Sequence, residues 1–201
     1  MNISHTTTNP SDIKILVVDD EAPIRNVIKR ILESQEYKCD TASSAREATE
    51  KLKEKEYSLV VTDIMMPEMS GMEFLELLRK RDDEIAVIML TALMDIDVSI
   101  QALKAGAYDY ITKPFRNEDV LISVEMALQK RNLILENRDY QRNLEKRVKE
   151  QSQKIQSSFI KSIESLARTL EAKDPETRDH SRRVTDYSVR TAETMGVNRA
   201  G

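Results

Sequence analysis

Ser58-Leu59-Val60-Val61-Thr62-Asp63 is a short apolar run closed by a carboxylate. The same pattern occurs earlier, in Lys14-Ile15-Leu16-Val17-Val18-Asp19-Asp20. Two later runs behave alike: Ile85–Leu90 leads into Thr91, and Tyr108-Asp109-Tyr110-Ile111 is followed by Thr112, Lys113 and Pro114. Short runs rich in Val, Ile and Leu suit strands buried on both faces. Tyr37–Thr41 supplies one more, and amphipathic stretches at 22–34, 44–55, 71–81 and 95–105 separate the runs. Strand and helix patterns alternating in this way predict an α/β chain with a doubly wound parallel sheet. Ligands of such sheets bind outside the carboxyl ends of the strands, at the topological switch point. That rule gathers Asp19, Asp20, Asp63, Thr91 and Lys113 at one sheet edge. Three carboxylates, a hydroxyl and an ammonium together suit a divalent metal and a phosphoryl group.

The local punctuation agrees. Pro23 suits a first helical turn, Gly106 suits the left-handed residue closing a helix at Ala105, and Pro67 and Gly71 bracket the loop after Asp63. The chain has 201 residues and a net charge of −4, unevenly distributed. Residues 1–115 carry 14 Lys and Arg against 21 Asp and Glu, whereas the remainder has a small basic excess. An acidic first half argues against general nucleic-acid binding there. A single cysteine, Cys39, cannot form an internal disulfide and fits a reducing, cytoplasmic compartment. No apolar stretch approaches the roughly 20 residues that span a bilayer. Residues 1–11 read as a disordered lead-in.

Between Phe115 and Asp174 there is neither Gly nor Pro. This predicts one long helix or two nearly continuous ones. Its stripe runs Leu133, Asn137, Tyr140, Leu144, Val148, Gln151, Ile155, Phe159, Ile163, Leu166 and Leu170. The mean step of about 3.7 lies nearer an eleven-residue repeat than a heptad, so supercoiling should be weak or slightly right-handed. A lone polar helix of this length has no burial to stabilise it. The expectation is therefore a homodimer through a parallel two-helix stalk over 131–172, with Asn137 and Gln151 fixing its register.

Residues 12–130 resemble a response-regulator receiver domain of bacterial two-component signalling. The resemblance rests on Leu16–Glu21, Thr62–Gly71, Leu90-Thr91-Ala92 and Lys104–Phe115, all at family spacing and order. It implies a flavodoxin-like fold with a five-stranded sheet. It also implies that Asp63 accepts a phosphoryl group from a phosphohistidine of a sensor histidine kinase. Asp19, Asp20, Asp63 and the backbone carbonyl of Met65 would hold Mg²⁺ (or Mn²⁺). Lys113 and Thr91 would contact the phosphoryl oxygens, and Thr91 with Tyr110 would form a switch pair. Lys113-Pro114 is a candidate cis peptide. Met65 and Leu93 occupy positions that border the approach of hydrolytic water, which implies slow self-dephosphorylation.

A second stretch, Ser165–Val184, is similar to the opening of HD-GYP domains, which hydrolyse cyclic di-GMP at a multinuclear metal site. His180 would match the first metal-binding histidine and Glu176 an extra carboxylate ligand. Residues 173–201 are accordingly read as an incomplete HD-GYP-like segment. The only histidines are His5 and His180, so this stretch cannot assemble such a site unaided. The readings that follow are a regulatory half of a cyclic di-GMP phosphodiesterase or a receiver-plus-coiled-coil adaptor with no enzymatic output. A transcriptional regulator fits poorly, because the last third reads mainly as helical stalk.

Overall fold

A computed structural model describes residues 9–92, 96–173 and 175–194, except for the side chains of 96–99, 170–173, 175–178, 181, 192 and 193. Five parallel strands form one sheet: β1 (Lys14–Val18), β2 (Lys38–Ala42), β3 (Leu59–Asp63), β4 (Ala86–Ala92) and β5 (Asp109–Lys113). Their order is β2-β1-β3-β4-β5. The chain leaves β1 toward one side for β2 and returns past it for β3. The switch point therefore lies between β1 and β3, the strands that lead into Asp19 and end in Asp63. The helices are α1 (Ala22–Glu33), α2 (Ala45–Glu54), α3 (Gly71–Arg81), α4 (Ile96–Lys104), α5 (Asn117–Lys173) and α6 (Pro175–Thr194). Four helical patterns and one unbroken long helix match the sequence reading.

Strand residues alternate between two cores. Ile15, Val17, Val61 and Ile88 pack with Ile28 and Leu32 of α1 and Val120 and Val124 of α5. Leu16, Val18, Val60 and Val87 pack on the other face, with Ala48 of α2, Phe74, Leu75 and Leu78 of α3, and Ala102 of α4. Burial on both faces is why the central strands β1, β3 and β4 read as continuous apolar runs. Each such side chain contributes roughly 1.5–3 kcal/mol of transfer free energy. The α1 helix opens with Pro23 in its first turn. Ser44 caps α2 by accepting from Glu47 N. Ser70 and Glu73 form a reciprocal capping box that starts α3.

Several boundaries shift from the sequence reading. The last strand is Asp109–Lys113, so it starts one residue later and ends two residues later than the run Tyr108–Ile111. Ala107 and Tyr108 belong to the turn that follows Gly106, whose φ of 102° makes glycine the fitting residue. Ala107 is apolar because it packs beside Ala102 of α4, whereas Tyr108 packs against the core on the α1 and α5 side and donates its N–H to the Val87 carbonyl at 2.7 Å. β4 continues through Ala92, so Thr91 lies within the strand and pairs in register with Thr112. The expected lead-in over 1–11 falls mostly outside the described residues. Its end, Pro10–Asp12, is a short 3-10 helix capped by Asn9.

The chain divides into two compact units, Met1–Asp139 and Tyr140–Gly201. In the second, Tyr140, Leu144, Val148, Ile155, Phe159, Ile163 and Leu166 are all exposed, as are Val184, Tyr187 and Val189 of α6. No helix among the described residues is long and apolar enough to cross a membrane.

Gly71 governs the loop between β3 and α3. Its N–H donates to the Ile64 carbonyl at 2.9 Å. A Cβ placed on it would lie 2.0 Å from the Asp63 carbonyl oxygen. Backbone cannot move aside as a flexible side chain can. Gly71→Ala should therefore lower stability by about 2–3 kcal/mol, measurable as a reduced urea midpoint at unchanged slope.

Candidate functional site

β1 ends in Val18, which places Asp19 and Asp20 at the sheet edge. β3 carries Asp63 to the same edge as its final residue. One oxygen from each of these three carboxylates lies within 4.8 Å of the others. Asp19 is fully buried, Asp63 is 6% exposed, and Asp20 faces solvent. Lys113, the last residue of β5, reaches across to them. Its Nζ lies 2.9 Å from Asp19 Oδ2 and 3.2 Å from Asp63 Oδ1. Thr91 is buried within β4, one residue past the Leu90 that pairs with Asp63. The structure thus brings Asp19, Asp20, Asp63, Thr91 and Lys113 to the edge that the strand rule specified.

The backbone holds these groups firmly. Asp19 Oδ1 accepts from the Glu21 N–H at 2.8 Å, and the Asp19 N–H donates to the Ala42 carbonyl at 3.2 Å. The Ile64 N–H donates to the Leu90 carbonyl at 3.0 Å, tying the start of the β3–α3 loop to β4. The Arg25 guanidinium donates to the Asp19 carbonyl oxygen. Sequence reading missed Arg25, and its only signal was a position in the first turn of α1. Gly71 was seen only as a loop marker, because its approach to the Asp63 backbone is a tertiary fact.

Charge in this pocket is unbalanced. Burial pushes the Asp63 carboxyl above its ordinary range, and the neighbouring Asp19 pushes it further, while Lys113 pulls it down without reversing the effect. Burial alone would depress the Lys113 ammonium, but its bonds to Asp19 and Asp63 hold it above its usual value. Lys113 therefore stays charged at neutral pH, and one cation serves three carboxylates. Hard oxygen donors with surplus negative charge fit Mg²⁺ or Mn²⁺, so the residues present suit the cation that the resemblance implied.

The remaining candidates are less concentrated. The Met65 side chain is 72% exposed beside the site, and Tyr110 on β5 is 39% exposed, outside the core. Lys113-Pro114 is cis. Leu93 lies outside the described residues, as does the Glu176 side chain. His180 is exposed on α6, and Asp19, Asp20 and Asp63 form the only metal-ligating cluster among the described residues.

The profile of the response regulator receiver domain matches residues 15–125. The chain belongs to the response regulator receiver family. It is 36% identical over 125 residues to the C4-dicarboxylate transport transcriptional regulatory protein DctD of Pseudomonas aeruginosa, covering 62% of this chain and 27% of DctD. It is 40% identical over 115 residues to the transcriptional regulatory protein YkoG of Bacillus subtilis, covering 57% of this chain and 50% of YkoG. The chain therefore spans half or less of these relatives. Among solved structures it resembles a receiver domain protein from Clostridium thermocellum at 38% identity and a TM-score of 0.58. That match covers 61% of this chain and 98% of the other. Membership in this family implies phosphotransfer from a histidine kinase.

The raised Asp63 carboxyl has a stability consequence. Its ionised form is less favoured in the folded than in the unfolded chain. Stability is lost as pH rises from the ordinary carboxylate value through the raised folded one, and the loss is complete above it. In divalent-free buffer at pH 7, Asp63→Asn should melt a few degrees above wild type, with the difference narrowing as pH falls toward the ordinary carboxylate range. An equal or lower melting temperature at pH 7 would contradict the charge imbalance.

Proposed function

We propose that Asp63 accepts a phosphoryl group from a phosphohistidine on a partner sensor kinase. The observation that carries this reading is the convergence of Asp19, Asp20, Asp63, Thr91 and Lys113 on one strand edge. A carboxylate oxygen of Asp63 attacks phosphorus. The P–N bond breaks with its electron pair going to the ring nitrogen that carried phosphorus; the proton sits on the other ring nitrogen, so a neutral imidazole leaves and an acyl phosphate forms. Phosphoryl transfer depends mainly on positioning and charge stabilisation. Lys113 neutralises the phosphoryl oxygens as they near the carboxylates, and the Thr91 hydroxyl donates to one of them. Asp19, Asp20, Asp63 and the Met65 carbonyl would hold Mg²⁺ or Mn²⁺, which supplies further positive charge against those oxygens when bound. Tyr110 is the natural follower of Thr91, since an exposed ring on β5 has room to turn inward when the hydroxyl moves. Met65 is bulky and cannot orient a water, which suits slow hydrolysis of the acyl phosphate.

Incubation with acetyl phosphate and Mg²⁺ should modify wild type stoichiometrically at Asp63 by peptide mapping, and Asp63→Asn should remain unmodified. Stoichiometric labelling of that variant would overturn the assignment. Mg²⁺ alone should raise the melting temperature of wild type more than that of Asp20→Ala.

We further infer a homodimer through the helical segment 131–172. Support comes from the exposed stripe Tyr140, Leu144, Val148, Ile155, Phe159, Ile163 and Leu166 on a single unbroken helix. Covering it with a second copy removes that apolar surface from water. Light scattering on the full chain should give a dimer mass for wild type and a monomer mass for Val148→Glu combined with Ile155→Glu. A wild-type monomer at high micromolar concentration would overturn this inference.

For the output, the reading that the sequence resemblance favours is an HD-GYP phosphodiesterase beginning near residue 173, with Glu176 and His180 as its first ligands. A receiver-plus-coiled-coil adaptor is the alternative. The acidic receiver is read as working in the cytoplasm through protein partners rather than by direct nucleic-acid contact. DctD and YkoG are named as transcriptional regulators, and the matched segment in each corresponds to this receiver. A full-length frame carrying downstream His-Asp and Gly-Tyr-Pro motifs would select the phosphodiesterase reading.

A further inference from the structure

The opposite edge of the sheet, where β4 and β5 begin, holds a second charged cluster. The loop Asp82–Ile85 between α3 and β4 is gripped from two sides. From α3, Arg79 donates to the Ile85 carbonyl at 2.7 Å and the Asp83 carbonyl at 3.3 Å. From α5, Arg131 Nε donates to the Glu84 carbonyl at 2.8 Å. Arg138 forks onto both Asp83 carboxylate oxygens at 3.0 and 2.5 Å, with Glu84 3.6 Å away. The Asp83 carboxyl is held below its usual range, chiefly by its hydrogen bonds to Arg138.

An isolated exposed ion pair holds little, and Asp83 is 57% exposed. This one is not isolated. Two arginines seven residues apart on one helix hold adjacent residues of one loop, one through a planar two-point fork. Arg79 extends the cluster. Its Nε donates to the Gly106 carbonyl at 3.1 Å, and its guanidinium lies 5.6 Å from the Tyr108 ring centre. Lys130 of α5 lies 4.9 Å from the same ring. Tyr108 directly precedes β5, and Lys113 ends it. The two residues, roughly 17 Å apart along an extended strand, are joined by backbone that is hydrogen-bonded into the sheet. One end of β5 is held by Asp19 and Asp63, and the other abuts the cations of α3 and α5.

We propose that Asp83 and Glu84 with Arg131 and Arg138 form a clamp that holds residues 131–138 of α5 against the receiver, and that β5 transmits occupancy of the acidic site to this clamp. The clamp is a property of the resting fold. The transmission rests on the phosphoacceptor reading. When a phosphoryl group recruits Lys113, the strand shifts at its far end through Tyr108, and the grip of Lys130, Arg131 and Arg138 changes with it.

Hydrogen exchange on the full chain tests both parts. Without ligand, Asp83→Asn and Arg138→Gln should each speed exchange of the amides in 131–138 by about tenfold. Pairing Asp83→Arg with Arg138→Asp should restore protection. Unchanged exchange in both single variants would overturn the clamp. With Mg²⁺ and beryllofluoride as the phosphoryl mimic, exchange over 131–138 should change in wild type and stay unchanged in Asp63→Asn. A melting shift that reports a filled site, with no change over 131–138, would overturn the transmission and leave the phosphoacceptor reading intact. Absence of any melting shift would instead overturn the phosphoacceptor reading and the transmission with it, and the ligand-free variants alone would then decide the clamp.

Discussion

The fold holds three carboxylates closer together than water would leave them, with one ammonium to offset them. Asp19 and Asp63 are buried, and Lys113 bonds to both at 2.9 and 3.2 Å. Desolvation and like charge raise the Asp63 carboxyl, so the site is destabilised at rest and stabilised by whatever brings positive charge or spreads the negative. Most of what surrounds it supports that state. The parallel sheet aims three strand ends at one point. Gly71 allows the loop after Asp63 to close against the Asp63 carbonyl, and Arg25 and the Glu21 N–H fix Asp19 from behind. An electrostatic strain held on a rigid two-sided core is a suitable start for a switch, because neutralising it can do work elsewhere.

The three central strands, β1, β3 and β4, were legible because they are buried on both faces, so hydrophobicity alone marks them. The site was legible for a related reason. Polar residues that end apolar runs at parallel strand termini have few places to go, and the switch-point rule identifies which. The errors fell where apolar residues serve a turn or polar residues serve a strand. Ala107 and Tyr108 look like strand but lie in the turn before it, packed on opposite faces, whereas Thr112 and Lys113 look like loop but pair with Thr91 and Ala92. Thr91 was placed just after its strand because a hydroxyl looked like a boundary, yet the ladder continues through it.

What the sequence could not reveal is pairing across distance. Arg138 and Asp83 are 55 residues apart, and no motif links them. Arg25 carried no motif at all. Charges say nothing of their partners until the helices dock, and docking is set by the two hydrophobic cores rather than by the charges. The long helix shows the reverse limit. Its stripe was plain from spacing and is exposed in the fold, but spacing alone does not name what covers it.

On the phosphoacceptor proposal, the crowded carboxylate cluster captures a phosphoryl group as an acyl phosphate. Phosphorus NMR of the protein treated with phosphoramidate and Mg²⁺ tests it most directly. One new protein-bound resonance should appear in the acyl phosphate region, disappear on addition of hydroxylamine and be absent when Mg²⁺ is chelated. A resonance that survives hydroxylamine, or one that forms equally well without a divalent cation, would contradict it.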